Sequence, residues 1–163
     1  MLADTRAYGF DRGPVGAKDK VFWTDDGCLV GISSNTLGLP EQLRAWVLAG
    51  MPEDCRPRVE SEAWCEVLMV HSDGTAALMN KTLAPARVTG ELFAVGSGKE
   101  YALAALHLGH RVVDALGVAC KLDPWSEFPL SGYDHEGREH RVPGPTDVRQ
   151  YLLDLKPTQR DAQ

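Results

Sequence analysis

The sequence predicts an α+β layered domain, and three observations carry that expectation. Two apolar runs fold back on themselves around Asp-Gly turns, two helical segments follow one another directly, and a further hairpin pattern comes after them. A parallel βαβ array would instead alternate strands and helices along the chain. At 163 residues the length suits one domain, large enough to bury about two-thirds of the surface exposed by its unfolded chain.

Residues 21–24 and 28–32 flank Asp25-Asp26-Gly27 and read as the first hairpin. Pro40 opens a helix over 41–49. Its Leu43, Trp46 and Val47 recur at three- and four-residue spacing, and Gly50 with Pro52 stops it. Residues 56–62 are polar and irregular, as a loop is. Residues 65–70 and 75–79, joined by Ser72-Asp73-Gly74, give the clearest hairpin pattern in the chain. The apolar run 92–95 is expected to form a buried strand, leading through Gly96-Ser97-Gly98 into a helix over 100–108. After Gly109 a second helix is expected over 111–121, with Val112, Ala115, Leu116 and Ala119 facing inward, and Asp123-Pro124 ends it. Residues 131–141 form a last hairpin around His135-Glu136-Gly137. A short helix after Pro145 carries Val148, Tyr151, Leu152 and Leu155 as its apolar stripe, so that one domain covers 1–156 and 157–163 is a disordered tail.

Composition narrows the function classes. The formal charge of −6 comes without a basic stripe, which argues against a nucleic-acid partner. No stretch approaches the roughly 20 apolar residues that span a bilayer, and the start has no signal-peptide pattern, so the expectation is a cytoplasmic protein with no membrane partner. Cys28, Cys55, Cys65 and Cys120 are scattered without a C-x-x-C pair. His107 and His110 stand at helical spacing and His135 with His140 in one hairpin, yet no carboxylate or cysteine completes a standard ligand set near them or near His71. No metal and no cofactor are expected.

The segment Val95-Gly96-Ser97-Gly98-Lys99 lacks phosphate-loop spacing, and alone its glycines permit only a tight turn with Ser97 as a capping residue. In sequence with Phe93-Ala94, Tyr101-Ala102, Gly109, Ala115, Ala119 and Asp123-x-x-Ser126, it resembles the second half of the proteasome β-subunit and HslV-like family of N-terminal-nucleophile hydrolases, with its short bacterial and phage-type relatives. The front of the chain agrees: Leu2-Ala3-Asp4 looks like the strand that ends in the family's catalytic aspartate. Lys20 before Val21 matches its catalytic lysine, and Gly31-Ile32-Ser33-Ser34 falls where a small-residue turn helps form an oxyanion hole. The resemblance covers residues 1–126.

That resemblance implies an αββα sandwich of two antiparallel sheets flanked by helices, with the first strand, which carries the nucleophile, missing from this chain. It implies a threonine peptidase subunit acting on peptides or unfolded proteins as a homo-oligomeric ring, with an ATP-dependent unfoldase as a possible partner; the alternative is a catalytically inactive assembly subunit. Lys20 would stabilise the alkoxide and Asp4 would hold Lys20. Ser97, Asp123 and Ser126 would position the α-amine, and the Ser34 N–H would meet the oxyanion. Thr5 does not replace the missing threonine, because cleavage before it discards Asp4. Glu127 departs from the family, which usually has glycine after the second serine position.

Overall fold

The computed structural model describes residues 1–8 and 14–144; the expected helix after Pro145 and the tail lie outside them. The chain begins with three short strands, β1 (Leu2–Asp4), β2 (Arg6–Tyr8) and β3 (Pro14–Ala17). The first expected hairpin forms as β4 (Val21–Trp23) and β5 (Leu29–Ser34), the second as β6 (Cys65–Val70) and β7 (Ala76–Met79). A further strand, β8 (Ala86–Val88), completes an antiparallel sheet of order β4-β5-β6-β7-β8. In the second turn, Asp73 accepts from both the Thr75 N–H (2.8 Å) and its hydroxyl (2.7 Å), which closes the loop without help from the core.

Helix α1 (Leu39–Leu48) lies on this sheet. Leu43, Trp46 and Val47 are buried, as their spacing predicts, and Gly50 ends the helix in a left-handed conformation (φ 82°) that a residue with a Cβ adopts at a cost. Strand alternation decides what α1 meets. Val30 and Ile32 on β5, and Cys65, Val67 and Met69 on β6, enter one core with Leu39, Leu43, Trp46 and Val47. Gly31 and Leu68, between them, face the other way.

Helices α2 (Lys99–His107) and α3 (Val112–Leu122) pack on each other through small residues, Ala102 and Ala105 against Ala115 and Ala119. After them come β9 (Leu130–Tyr133) and β10 (Glu139–Val142), the expected last hairpin, which joins β1 in a second antiparallel sheet of order β1-β9-β10. β4 meets β9, and α3 meets β1. The result is a mixed α+β fold of antiparallel sheets and helices. No helix among the described residues is long and apolar enough to cross a membrane, and all four cysteines are free.

Two expectations need correction. Residues 92–95 are not a strand: they run as a half-buried irregular segment along a cleft, with no strand paired to them among the described residues. The inward stripe of α3 is also only half filled. Ala115 and Ala119 are buried, but Val112 is 49% exposed and Leu116 is half-buried, because both look into that same cleft. The pattern read the apolar face correctly and could not show that the opposing wall is incomplete.

The β1–β9 pairing depends on a close approach. A Cβ at Gly132 would stand 2.2 Å from the Met1 carbonyl oxygen and 2.8 Å from the Leu2 Cα, both backbone atoms that cannot swing away. Gly132→Ala is therefore expected to destabilise the fold by about 1–3 kcal/mol through overpacking, read as a lower urea midpoint at unchanged slope.

Candidate functional site

Asp4 ends β1, and Lys20 immediately precedes β4, so the antiparallel pairing of β2 with β3 between them brings one beside the other. The Lys20 ammonium stands 2.9 Å from each Asp4 carboxylate oxygen, with the two side chains only 16% and 15% exposed. The carboxylate faces the partly desolvated ammonium with both oxygens, so each charge has a counter-ion in good hydrogen-bonding geometry. Asp4 also accepts the Arg6 N–H at 3.2 Å, which fixes the carboxylate plane.

The second group forms where three loop positions converge. Asp123 caps the C-terminal end of α3 and is 5% exposed. Its Oδ2 accepts from the Ser97 hydroxyl at 2.7 Å and from the Ser126 hydroxyl at 2.6 Å, and its Oδ1 accepts the Trp125 N–H at 3.3 Å. Gly98 makes this approach possible: a Cβ there would lie 2.9 Å from the Ser126 hydroxyl oxygen, 3.1 Å from the Ala119 Cβ and 3.3 Å from Asp123 Oδ2. The expected site residues thus fall into two bonded groups, Asp4 with Lys20 and Ser97 with Asp123 and Ser126.

One cleft joins them. It has a volume of about 230 Å³ and is lined by Asp4, Lys20, Ser97 and Ser126, with apolar walls from β1, residues 92–95 and the facing sides of α2 and α3. Among the described residues β1 is an edge strand, bonded to β9 on one side. Cys120, on α3, feels both groups. Burial, together with the charges of Asp4, Asp123 and Glu127 and against that of Lys20, pushes its thiol up to about 12. Ser34 stands at the end of β5. The N–H of Ile32, two residues earlier, donates to the Lys20 carbonyl at 2.9 Å, and alternation along the strand turns the Ser34 N–H to the same edge. Glu127, the departure from the family pattern, pairs with Arg6 at 2.6 Å.

Glu66 was not singled out from the sequence. It projects from β6 among apolar neighbours, accepts the Gly96 N–H at 2.8 Å and holds the Lys99 ammonium, so that the turn bearing Ser97 is anchored to the central sheet. A lone carboxylate inside an otherwise apolar strand was the available signal.

No family model matches the sequence, and no curated protein matches it. Solved structures do match in shape. A eukaryotic HslV from Trypanosoma brucei superposes with a TM-score of 0.57 at 15% identity, over 88% of this chain and 92% of that one. Anbu (ancestral beta-subunit) from Yersinia bercovieri gives 0.60 at 8% identity, over 93% and 85%. Anbu from Hyphomicrobium sp. strain MC1 gives 0.58 at 13% identity, over 93% and 86%. At these identities the likeness defines a fold, and that fold is of the proteasome-like kind. More particularly, it is similar to HslV and to Anbu.

Two measurements check the geometry. A double-mutant cycle on Asp4→Ala and Lys20→Met is expected to give a coupling of about 1–2 kcal/mol, between exposed and buried pairs; zero coupling in urea unfolding would show that the contact holds nothing. Iodoacetamide at pH 8 is expected to label Cys55, which is exposed, while Cys120 stays unlabelled until the protein unfolds, as read by peptide mass spectrometry.

Proposed function

We propose that this chain is the body of a proteasome-like threonine peptidase subunit, and that the nucleophile arrives on an extended, threonine-led segment lying in the cleft beside β1. The observation that carries the reading is that the Asp4–Lys20 pair and the Ser97–Asp123–Ser126 cluster open onto one cleft whose wall is a strand edge unpaired among the described residues. A strand there gains backbone partners from β1 and, on its other side, from residues 92–95. It also covers the half-bare stripe of α3. This accounts for why an apolar run with the composition of a strand lacks strand partners.

In this reading the threonine hydroxyl attacks the peptide carbonyl carbon, and its proton passes through the threonine α-amine to the leaving amine as the C–N bond breaks. Water then hydrolyses the ester. Lys20 lowers the cost of alkoxide character in the attacking oxygen, and Asp4 holds Lys20 in place. Ser97 and Ser126, both held by Asp123, orient the α-amine, and the Ser34 N–H meets the carbonyl oxygen as it becomes an oxyanion. Exposed Tyr101 on α2, Leu108 just beyond it and Leu122 at the end of α3 support self-association, which we extend to a homo-oligomeric ring. An ATP-dependent unfoldase would then be a partner of that ring.

The test is to express the chain with the codons that precede it in frame. A threonine-led form is expected to hydrolyse peptide amides, and Lys20→Ala is expected to lower kcat by roughly 10²–10³-fold, the scale of losing one electrostatic group. Wild-type turnover by that variant removes Lys20 from the mechanism. If no threonine, serine or cysteine leads the preceding segment, the inactive assembly subunit stands instead.

A further inference from the structure

A second cleft, of about 580 Å³, lies alongside the first and shares Lys20, Ile32, Ser33 and Ser97 with it. Arg6, Lys18 and Lys20 line it, together with Ser33 and Ser34, which end strand β5 where the sequence suggests a turn, and Asn35 and Thr36 after them. No Asp or Glu is among its described lining residues, in a chain whose formal charge is −6. The N-terminal end of α1, at Pro40, adds partial positive charge to the same wall.

The carboxylates that answer these cations sit behind them or at the rim. Asp4 engages Lys20 from the first cleft. Glu127, which pairs with Arg6, is 52% exposed against 26% for Arg6; Glu41, which pairs with Lys18, is 61% exposed against 26% for Lys18. The Lys18–Glu41 contact is also long, at 3.4 Å, so water screens it and it gives little. A carboxylate entering the cleft would meet Lys18 and Arg6, each 26% exposed, where partial burial strengthens the interaction between charges.

We infer that this cleft binds a carboxylate of the peptide, carried by an acidic side chain or by a free C-terminus, and so selects acidic ligands next to the reacting bond. The inference rests on the peptidase reading for the ligand being a peptide. Its chemistry rests on Lys18 and Arg6 alone, and neither has been given a catalytic role. Trp64 and Trp125, which also line the cleft, supply a fluorescence signal for occupancy.

The experiment titrates the chain with three peptides, Ac-Ala-Ala-Glu-NH2, Ac-Ala-Ala-Gln with a free C-terminus, and Ac-Ala-Ala-Gln-NH2, following tryptophan fluorescence at low salt. At least one carboxylate peptide is expected to bind roughly tenfold or more tighter than the neutral amide, the scale of one charge-assisted hydrogen bond; which one does so identifies the source of the carboxylate. Lys18→Gln is expected to erase most of that difference, and Glu41→Gln, by freeing Lys18, to increase it a few-fold. Equal binding of all three peptides, or none at millimolar concentration, overturns the inference, as does a Glu41→Gln variant that binds more weakly while its circular dichroism is unchanged. Binding needs no turnover, so the two readings fail separately. A threonine-led form that cleaves neutral peptides in preference to acidic ones sinks only the selectivity. A chain that binds acidic peptides but cleaves none when threonine-led sinks only the peptidase.

Discussion

The ammonium of Lys20, gripped by both oxygens of Asp4, ties the three-stranded sheet to the five-stranded one at the wall of the cleft. Asp4 belongs to the edge strand of the three-stranded sheet, and Lys20 leads into the edge strand of the five-stranded one. Bringing two charges to about one-sixth exposure costs solvation, and the contact is worth keeping only if each charge has its partner in good geometry. An edge-strand lysine serving solubility would stay in water. This one turns inward to a counter-ion, and it does so on the wall of a cleft.

Around that contact the fold economises on volume. The Gly96-Ser97-Gly98 turn approaches Ser33 on one side and Ala119, Asp123 and Ser126 on the other, at distances that leave no room for larger residues. Glu66 ties the turn to the sheet through a backbone N–H and an ammonium, so the position of Ser97 is set by β6 as well as by α2. Polar groups placed by three different elements converge because small residues let those elements come close.

Much of this was legible in the sequence, for physical reasons that can be named. Both Asp-Gly hairpins of the five-stranded sheet and all three described helices carry their own local signals, in turn residues and in three- and four-residue apolar spacing. Asp4 and Lys20, sixteen residues apart, and Ser97 with Asp123 and Ser126 were named together through a resemblance in order and spacing, and the structure brings each group within bonding distance. Strands β2, β3 and β8 escaped notice because three or four residues give too few positions for an alternation to register. The strand expected at 92–95 illustrates the opposite limit. Composition reports a segment's fitness for a sheet, while membership requires a partner. Glu66 was passed over because its function is relational: nothing near it in sequence says that Gly96 lies opposite.

The two faces of β5 and β6 have a consequence for how this protein can change over time. Toward α1, Val30, Ile32, Val67 and Met69 interlock with a helix, so a substitution at one of them must be answered by another. Toward the cleft, the same strands present Gly31 and Leu68 as a buried floor, with the Met1 side chain packed over Gly31. Alternate residues of one strand are therefore held by different neighbours, one set by α1 and the other by the packing beneath the cleft. A larger residue at Gly31 would first have to displace the Met1 sulfur, which its Cβ would meet at 2.7 Å, so the floor of the cleft is tied to the residue that leads into β1.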